Sequence, residues 1–205
     1  MDYLFIALII SFAVFSFASS VQAADIPLDQ ELEAVNSETA TLALGCFWGP
    51  DASFGALEGV IRTRVGYAGG TTEGPTYKSI GDHTETIEID YNPELISYRE
   101  LLEIFFAAHN PYTKSYSRQY ASLILYQNQN QKETALAVKE KMEAAEGREI
   151  QTEIKELDRF YLAEDYHQKF RLQQRKDFKN HYLSQLSMQE FINSPAVTKV
   201  NGYLM

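Results

Sequence analysis

Thr41-Leu-Ala-Leu-Gly-Cys-Phe-Trp-Gly49, followed by Val60-Ile-Arg-Thr-Arg-Val-Gly-Tyr67 and Thr84-Glu-Thr-Ile-Glu-Ile-Asp-Tyr91, decides the fold. The run 41–44 is short and apolar and ends at Gly45; over 48–57 apolar residues recur at helical spacing until Gly59 stops them. That is strand, turn, helix. Residues 60–67 are β-branched and alternating, and 84–91 alternate strictly before Asn92-Pro93, with a loop through Gly69-Gly70 and Pro75 between them. Ser97 stands three residues before Glu100 in a capping-box pattern, and Leu101, Leu102, Phe105, Phe106 and Ala108 form one stripe of a helix ending near His109. A fourth strand lies at 121–126. The order β-α-β-β-α-β is the split βαβ pattern, and it predicts an α+β, ferredoxin-like core: a mostly antiparallel sheet with helices on one face.

Outward from this core, a polar-faced helix over 130–145 and a strand over 152–157 extend the unit, and 163–191 predicts one or two further helices packed over the core. The organisation read from this is a catalytic domain at 40–168, a helical C-terminal extension at 169–205 and an acidic, aperiodic linker at 24–39. Upstream, no charged side chain occurs from Tyr3 to Ala24, and the apolar stretch ends in small residues before Val21-Gln-Ala23. This reads as a signal peptide cleaved after Ala23, giving a secreted or periplasmic protein, with a retained membrane anchor as the alternative.

Composition narrows the function classes. With 45% hydrophobic residues and only 11 Gly and 6 Pro in 205, the chain is neither collagen-like nor disordered. A net charge of −10 repels phosphates, so nucleic acid is not an expected partner. One cysteine rules out an internal disulfide and a Cys-rich zinc site. His83, His109 and His167 are scattered without metal-ligand spacing and are expected to be satisfied or surface side chains; no metal is expected. Arg171, Arg175, Lys176 and Lys179 read as a solvated helix face.

The lone thiol therefore carries the chemistry or none. Cys46 lies where the first strand gives way to the first helix, so unpaired N–H groups and the positive helix end are expected to lower its pKa and favour the thiolate. Phe47 and Trp48 directly after it suit a wall for an apolar ligand group. From strand pattern alone Glu85 groups with Glu88 and Asp90 as a solvated carboxylate. Tyr77 and Tyr120 are two phenols among 13 tyrosines.

Gly45-Cys-Phe-Trp-Gly49, Val65-Gly-Tyr-Ala-Gly-Gly70, Pro75-Thr-Tyr77, His83-Thr-Glu85, Tyr91-Asn-Pro93, His109-Asn-Pro111, Gln119-Tyr120 and Ala163-Glu-Asp-Tyr-His-Gln168 occur in this order. The series resembles the type A peptide methionine sulfoxide reductases from Leu42 to Gln168. The resemblance implies that Cys46 attacks the sulfoxide sulfur, expels methionine and becomes a sulfenic acid. It implies that Phe47 and Trp48 enclose the substrate methyl, and that Tyr77, Glu85 and Tyr120 hydrogen-bond the sulfoxide oxygen, with Glu85 as proton donor. The S epimer is the implied substrate, in oxidised proteins or peptides. The chemistry itself asks for an acid, because a sulfoxide sulfur is a poor electrophile until its oxygen is protonated; a carboxyl among aromatics is disposed to stay protonated near neutral pH.

Three departures stand out. No cysteine follows Cys46, so turnover requires an external thiol such as thioredoxin, glutathione or glutaredoxin, with no bound cofactor. Ser115 stands where the family has an aspartate five residues before the tyrosine, in a shortened stretch, and Asp82-His-Thr-Glu85 replaces Gly-His-Ala-Glu. The protein is expected to act as a monomer. Two other readings remain open at this point: a Cys-His hydrolase, and a non-catalytic protein that binds methionine sulfoxide or an apolar peptide side chain.

Overall fold

A computed structural model describes residues 26–33 and 35–205. In chain order its elements are α1 (Pro27–Glu33), β1 (Glu38–Leu44), α2 (Trp48–Gly55), β2 (Val60–Ala68), β3 (Thr84–Tyr91), α3 (Tyr98–Ala107), β4 (Ser122–Tyr126), α4 (Gln129–Glu146), β5 (Glu153–Glu156), β6 (Phe160–Leu162), α5 (Phe170–Gln173), α6 (Lys176–Leu183), α7 (Met188–Asn193) and α8 (Pro195–Tyr203). They form an α+β unit around one sheet of order β5-β4-β1-β3-β2-β6. β1 is antiparallel to β3 and β4, β2 is antiparallel to β3 and β6, and β5 is parallel to β4. β1 and β2 thus run parallel with β3 inserted between them.

Alternation sorts the two faces. In β3 the odd residues Ile87, Ile89 and Tyr91 join the main core with Ala40 and Leu42 of β1, Val65 and Tyr67 of β2, and Phe54, Leu101, Leu102, Phe105 and Val138 of α2, α3 and α4. The even residues point the other way, where Glu88 and Asp90 pair with Arg64 at 3.2 and 3.0 Å and Asp90 also meets Arg62 at 3.3 Å. Ser97 caps α3, its hydroxyl accepting from Glu100 N while the Glu100 carboxylate takes the Ser97 N–H. Any Cβ at Gly66 runs into Phe160 and the Tyr161 carbonyl, so the absence of a side chain there lets β6 lie against β2.

Three segments differ from expectation. The segment 24–39 is not simply a linker: it contains α1, whose Asp29 accepts the Ala196 N–H at 2.8 Å at the start of α8, and it includes the start of β1. β6, three residues long, is too short to display alternation. The stretch 163–191 holds α5, α6 and the start of α7, after a 3-10 turn at Asp165–His167. The segment 169–205, expected as a helical extension, is helical: α8 packs on α2 and β2, and its Lys199 ammonium donates to the carbonyls of Gly55 and Leu57 at the end of α2. The uncharged stretch 3–24, expected as leader or anchor, lies outside the described residues.

Gly45 leaves β1 with φ +99°, the turn that swings the chain into α2. A Cβ there meets no neighbour, so substitution carries only a conformational cost. Gly45→Ala is expected to lower unfolding free energy by about 1–3 kcal/mol, measured by urea denaturation; an unchanged midpoint contradicts this account of the turn.

Candidate active site

Antiparallel register assembles the site. Leu42 of β1 pairs with Ile87 of β3, so two residues later Leu44 faces Glu85, and Leu44 also pairs with Ser122, the first residue of β4. The carboxyl end of β1, which delivers Cys46, therefore meets the amino ends of both flanking strands. One contributes Glu85; the other contributes Gln119 and Tyr120 from the 3-10 turn Arg118–Tyr120 just before β4.

Glu85 is buried on the helix-covered face, with Ile87 and Ile89, opposite Glu88 and Asp90. The grouping of these three carboxylates read from the strand pattern is thus corrected by parity: odd and even residues of one strand face opposite ways. One Glu85 oxygen accepts the Phe47 N–H at 3.1 Å, the other the Gln119 side-chain amide at 2.7 Å. Burial pushes its pKa above the ordinary carboxylate range, against the downward pull of these two donors. The carboxyl is therefore biased toward its protonated form.

Cys46 is exposed, one residue before Phe47, the N-cap of α2. The expectation of a resting thiolate is overturned. Crowding of the thiol desolvates its charged form and raises the pKa, and Glu85 adds to the rise; the Trp48 N–H and the Arg171 guanidinium pull the other way without prevailing. A two-turn helix end is too weak a field to outweigh desolvation.

Around the thiol the aromatics form a linked wall. Phe47 is buried against Tyr67 and His167, with ring centroids 6.1 and 5.1 Å apart. Trp48 stacks on Phe170 at 3.8 Å, and its Nε1–H donates to His167 Nδ1 at 3.1 Å. That bond fixes the imidazole as the neutral tautomer carrying its proton on Nε2, in keeping with a pKa that burial lowers. Tyr77 lies 4.6 Å from the His167 ring and is positioned by Glu164, whose carboxylate takes the Tyr77 N–H at 3.0 Å and the Tyr67 hydroxyl at 2.7 Å. The Tyr120 phenol, beside Tyr77 and Gln119, is pushed up to about 12, chiefly by desolvation and then by Glu85, so it remains a hydrogen-bond donor at neutral pH.

The structure thus gathers Cys46, Phe47, Trp48, Tyr77, Glu85 and Tyr120 around one end of the sheet. Sequence reasoning missed Gln119, Glu164, His167 and Phe170; the first three sit inside the quoted motifs, which was the available signal. Of the histidines expected to be inert, His83 and His109 are structural: His83 takes the Gly70 N–H and donates to the Thr72 carbonyl, and His109 bridges the Phe105 carbonyl and the Ser122 hydroxyl. His167 instead belongs to the site. Ser115 bonds only to Ser117, at 3.0 Å to its carbonyl, so the shortened loop is ordered locally without a carboxylate.

Comparison with known proteins places the arrangement. Residues 38–200 match the family model described as peptide methionine sulfoxide reductase. A Drosophila melanogaster peptide methionine sulfoxide reductase is 49% identical over 172 residues, 83% of this chain and 69% of that protein. The chain belongs to the peptide methionine sulfoxide reductase family. It is an oxidoreductase. Among solved structures, reduced Mxr1 from Saccharomyces cerevisiae superimposes with a TM-score of 0.61 and 30% identity over 64% of this chain and 82% of that one. Mxr1 in complex with Trx2 gives a TM-score of 0.51 and 27% identity over 72% and 93%. The family match, unlike the motif resemblance, runs on through α5, α6 and α7 into α8, the helices that bring Phe170 to Trp48 and pack on α2.

The charges around the thiol make opposite predictions. Iodoacetamide alkylation of Cys46 rises with pH through a midpoint above the ordinary thiol range in the parent; Glu85→Gln lowers that midpoint by removing a negative charge, and Arg171→Gln raises it by removing a positive one. Equal midpoints in all three proteins contradict this electrostatic arrangement.

Proposed function

We propose that this member of the family reduces methionine-S-sulfoxide residues in oxidised proteins and peptides through a sulfenic acid on Cys46. The observation that carries the proposal is the buried, protonation-biased Glu85, hydrogen-bonded to Phe47 and Gln119 beside an exposed thiol. The substrate methyl lies against Phe47 and Trp48. Its oxygen meets Glu85, Tyr77 and Tyr120, the groups able to donate a proton or a hydrogen bond. Because methyl and oxygen need different surroundings, only one configuration at sulfur fits, and the S epimer is the one the family resemblance implies.

The step balances as an oxygen transfer. Glu85 protonates the sulfoxide oxygen as the Cys46 sulfur attacks the substrate sulfur, and the proton leaving the thiol restores the Glu85 carboxyl; the hydroxyl passes to Cys46 as the substrate S–O bond and the transient S–S bond break, and methionine departs reduced by two electrons. Since Glu85 raises the thiol pKa only when charged, holding it protonated also eases ionisation of Cys46. Gln119 suits both states of the carboxyl, because an amide presents a donor edge or an acceptor edge.

Cys46 is the chain's only cysteine, so regeneration is assigned to an external thiol, which condenses with the sulfenic acid to a mixed disulfide and water before a second thiol frees Cys46. A thioredoxin is the first candidate, since the yeast relative is described in complex with Trx2. A hydrolase cycle lacks its base: His167 Nδ1 is taken by Trp48, and among the described residues no imidazole hydrogen-bonds Cys46.

The test is reduction of the separate S and R epimers of a blocked methionine sulfoxide with dithiothreitol as electron source. We expect turnover of the S epimer alone, none by Cys46→Ser, and a loss of about 10²–10⁴-fold in Glu85→Gln. Without added thiol, one methionine forms per chain. Reduction of neither epimer by the folded parent overturns the proposal.

A further inference from the structure

We infer that Asp51, with Lys169 and Asn201, is a positioning device for Trp48: it ties the first turn of the helix carrying Trp48 to the segment 167–170 that packs on the indole, and to α8. The inference rests on the reading of Trp48 as part of the substrate's methyl site, and it concerns residues that touch no substrate.

Asp51, Thr63, Lys169 and Asn201 are all fully buried. Asp51 Oδ2 accepts the Lys169 backbone N–H at 3.1 Å and the Asn201 amide at 3.0 Å, while Oδ1 accepts the Thr63 hydroxyl at 2.6 Å and the Lys169 ammonium at 3.4 Å. The ammonium also donates to the Thr63 carbonyl and to Thr63 Oγ1, so no donor of the cluster is wasted. Asn201 closes the circuit by accepting the Leu172 N–H at 3.0 Å. One carboxylate on α2 thus gathers β2, the start of α5 and the C-terminal helix α8.

The hub is adjoined to the indole along the chain on both sides. Asp51 follows Trp48 by three residues and lies on the same helix face one turn on. Lys169 is the only non-glycine residue with positive φ among the described residues, at +50°. That conformation is disfavoured for a residue with a Cβ and persists where its surroundings enforce it. It reverses the chain between His167, which takes the indole N–H, and Phe170, which stacks on the indole face. Asp51 grips both the backbone and the side chain of the residue that makes this bend. A cluster serving stability alone has no need of the strained residue, since a buried ion pair is commonly matched by apolar packing.

Trp48 is the only tryptophan, so its fluorescence reports the device without substrate. Lys169→Met alone strands the Asp51 charge and is liable to unfold, so the variants are Asn201→Ala and the charge-free pair Asp51→Asn with Lys169→Met. Val138→Ala, a core truncation in α4, serves as a control for lost stability. We expect both network variants, while folded by circular dichroism, to shift Trp48 emission to longer wavelength and increase its quenching by acrylamide. The KM for the S-sulfoxide should rise about tenfold with a smaller change in kcat, and the control should keep parent emission and KM. Network variants that melt earlier yet retain parent emission and KM overturn the inference. If the parent reduces no sulfoxide, the proposed function fails and the emission data still decide the positioning.

Discussion

Everything in this site depends on holding one carboxyl group out of water beside a thiol. Glu85 reaches that position because it is an odd residue of β3, on the face covered by helices, at the strand end that antiparallel register brings beside Cys46. Burial alone makes the group an acid; two hydrogen bonds keep its direction. The thiol rests protonated chiefly because its surroundings desolvate the charged form, and an ionised Glu85 adds to that rise. Because Glu85 opposes the thiolate only when ionised, a protonated Glu85 and an ionised Cys46 favour one another, a coupling that a surface carboxylate, screened by water, does not provide.

The aromatic wall is equally a matter of support. Trp48 and Phe47 start a helix of only eight residues, too short to hold itself without tertiary contacts. His167 and Phe170 hold the indole by edge and face, and Glu164 holds Tyr77 and Tyr67 together. These contacts come from sequence positions about 90 to 120 residues away from their partners, which is why the last quarter of the chain is built into the site rather than added to it.

Much of this was legible in the residues. Strict alternation over 84–91 fixed a strand whose ends agree with the structure, and the Ser97–Glu100 capping box marks the start of α3 where it lies. The turn at Gly45 put Cys46 at the head of a helix. What was not legible depended on surroundings. Alternation tells which residues share a face, yet grouping Glu85 with Glu88 and Asp90 set aside its own parity. The pKa of Cys46 went the other way because a helix-end effect is visible in sequence, whereas desolvation by the folded surroundings is not. His167 reads as any histidine until the fold places it against Trp48. α1 and β6 are too short for periodicity to declare them.

The most direct test of the central claim is the ionisation of Glu85 itself, followed by the carboxyl stretch in infrared difference spectra of the parent against Glu85→Gln as pH is raised. The account predicts a protonated-acid band, absent from the variant, that persists above the ordinary carboxylate range and disappears only at higher pH. A band lost with the bulk of the surface carboxyls contradicts it, since Glu85 is then a charged residue beside Cys46 and holds no proton to give.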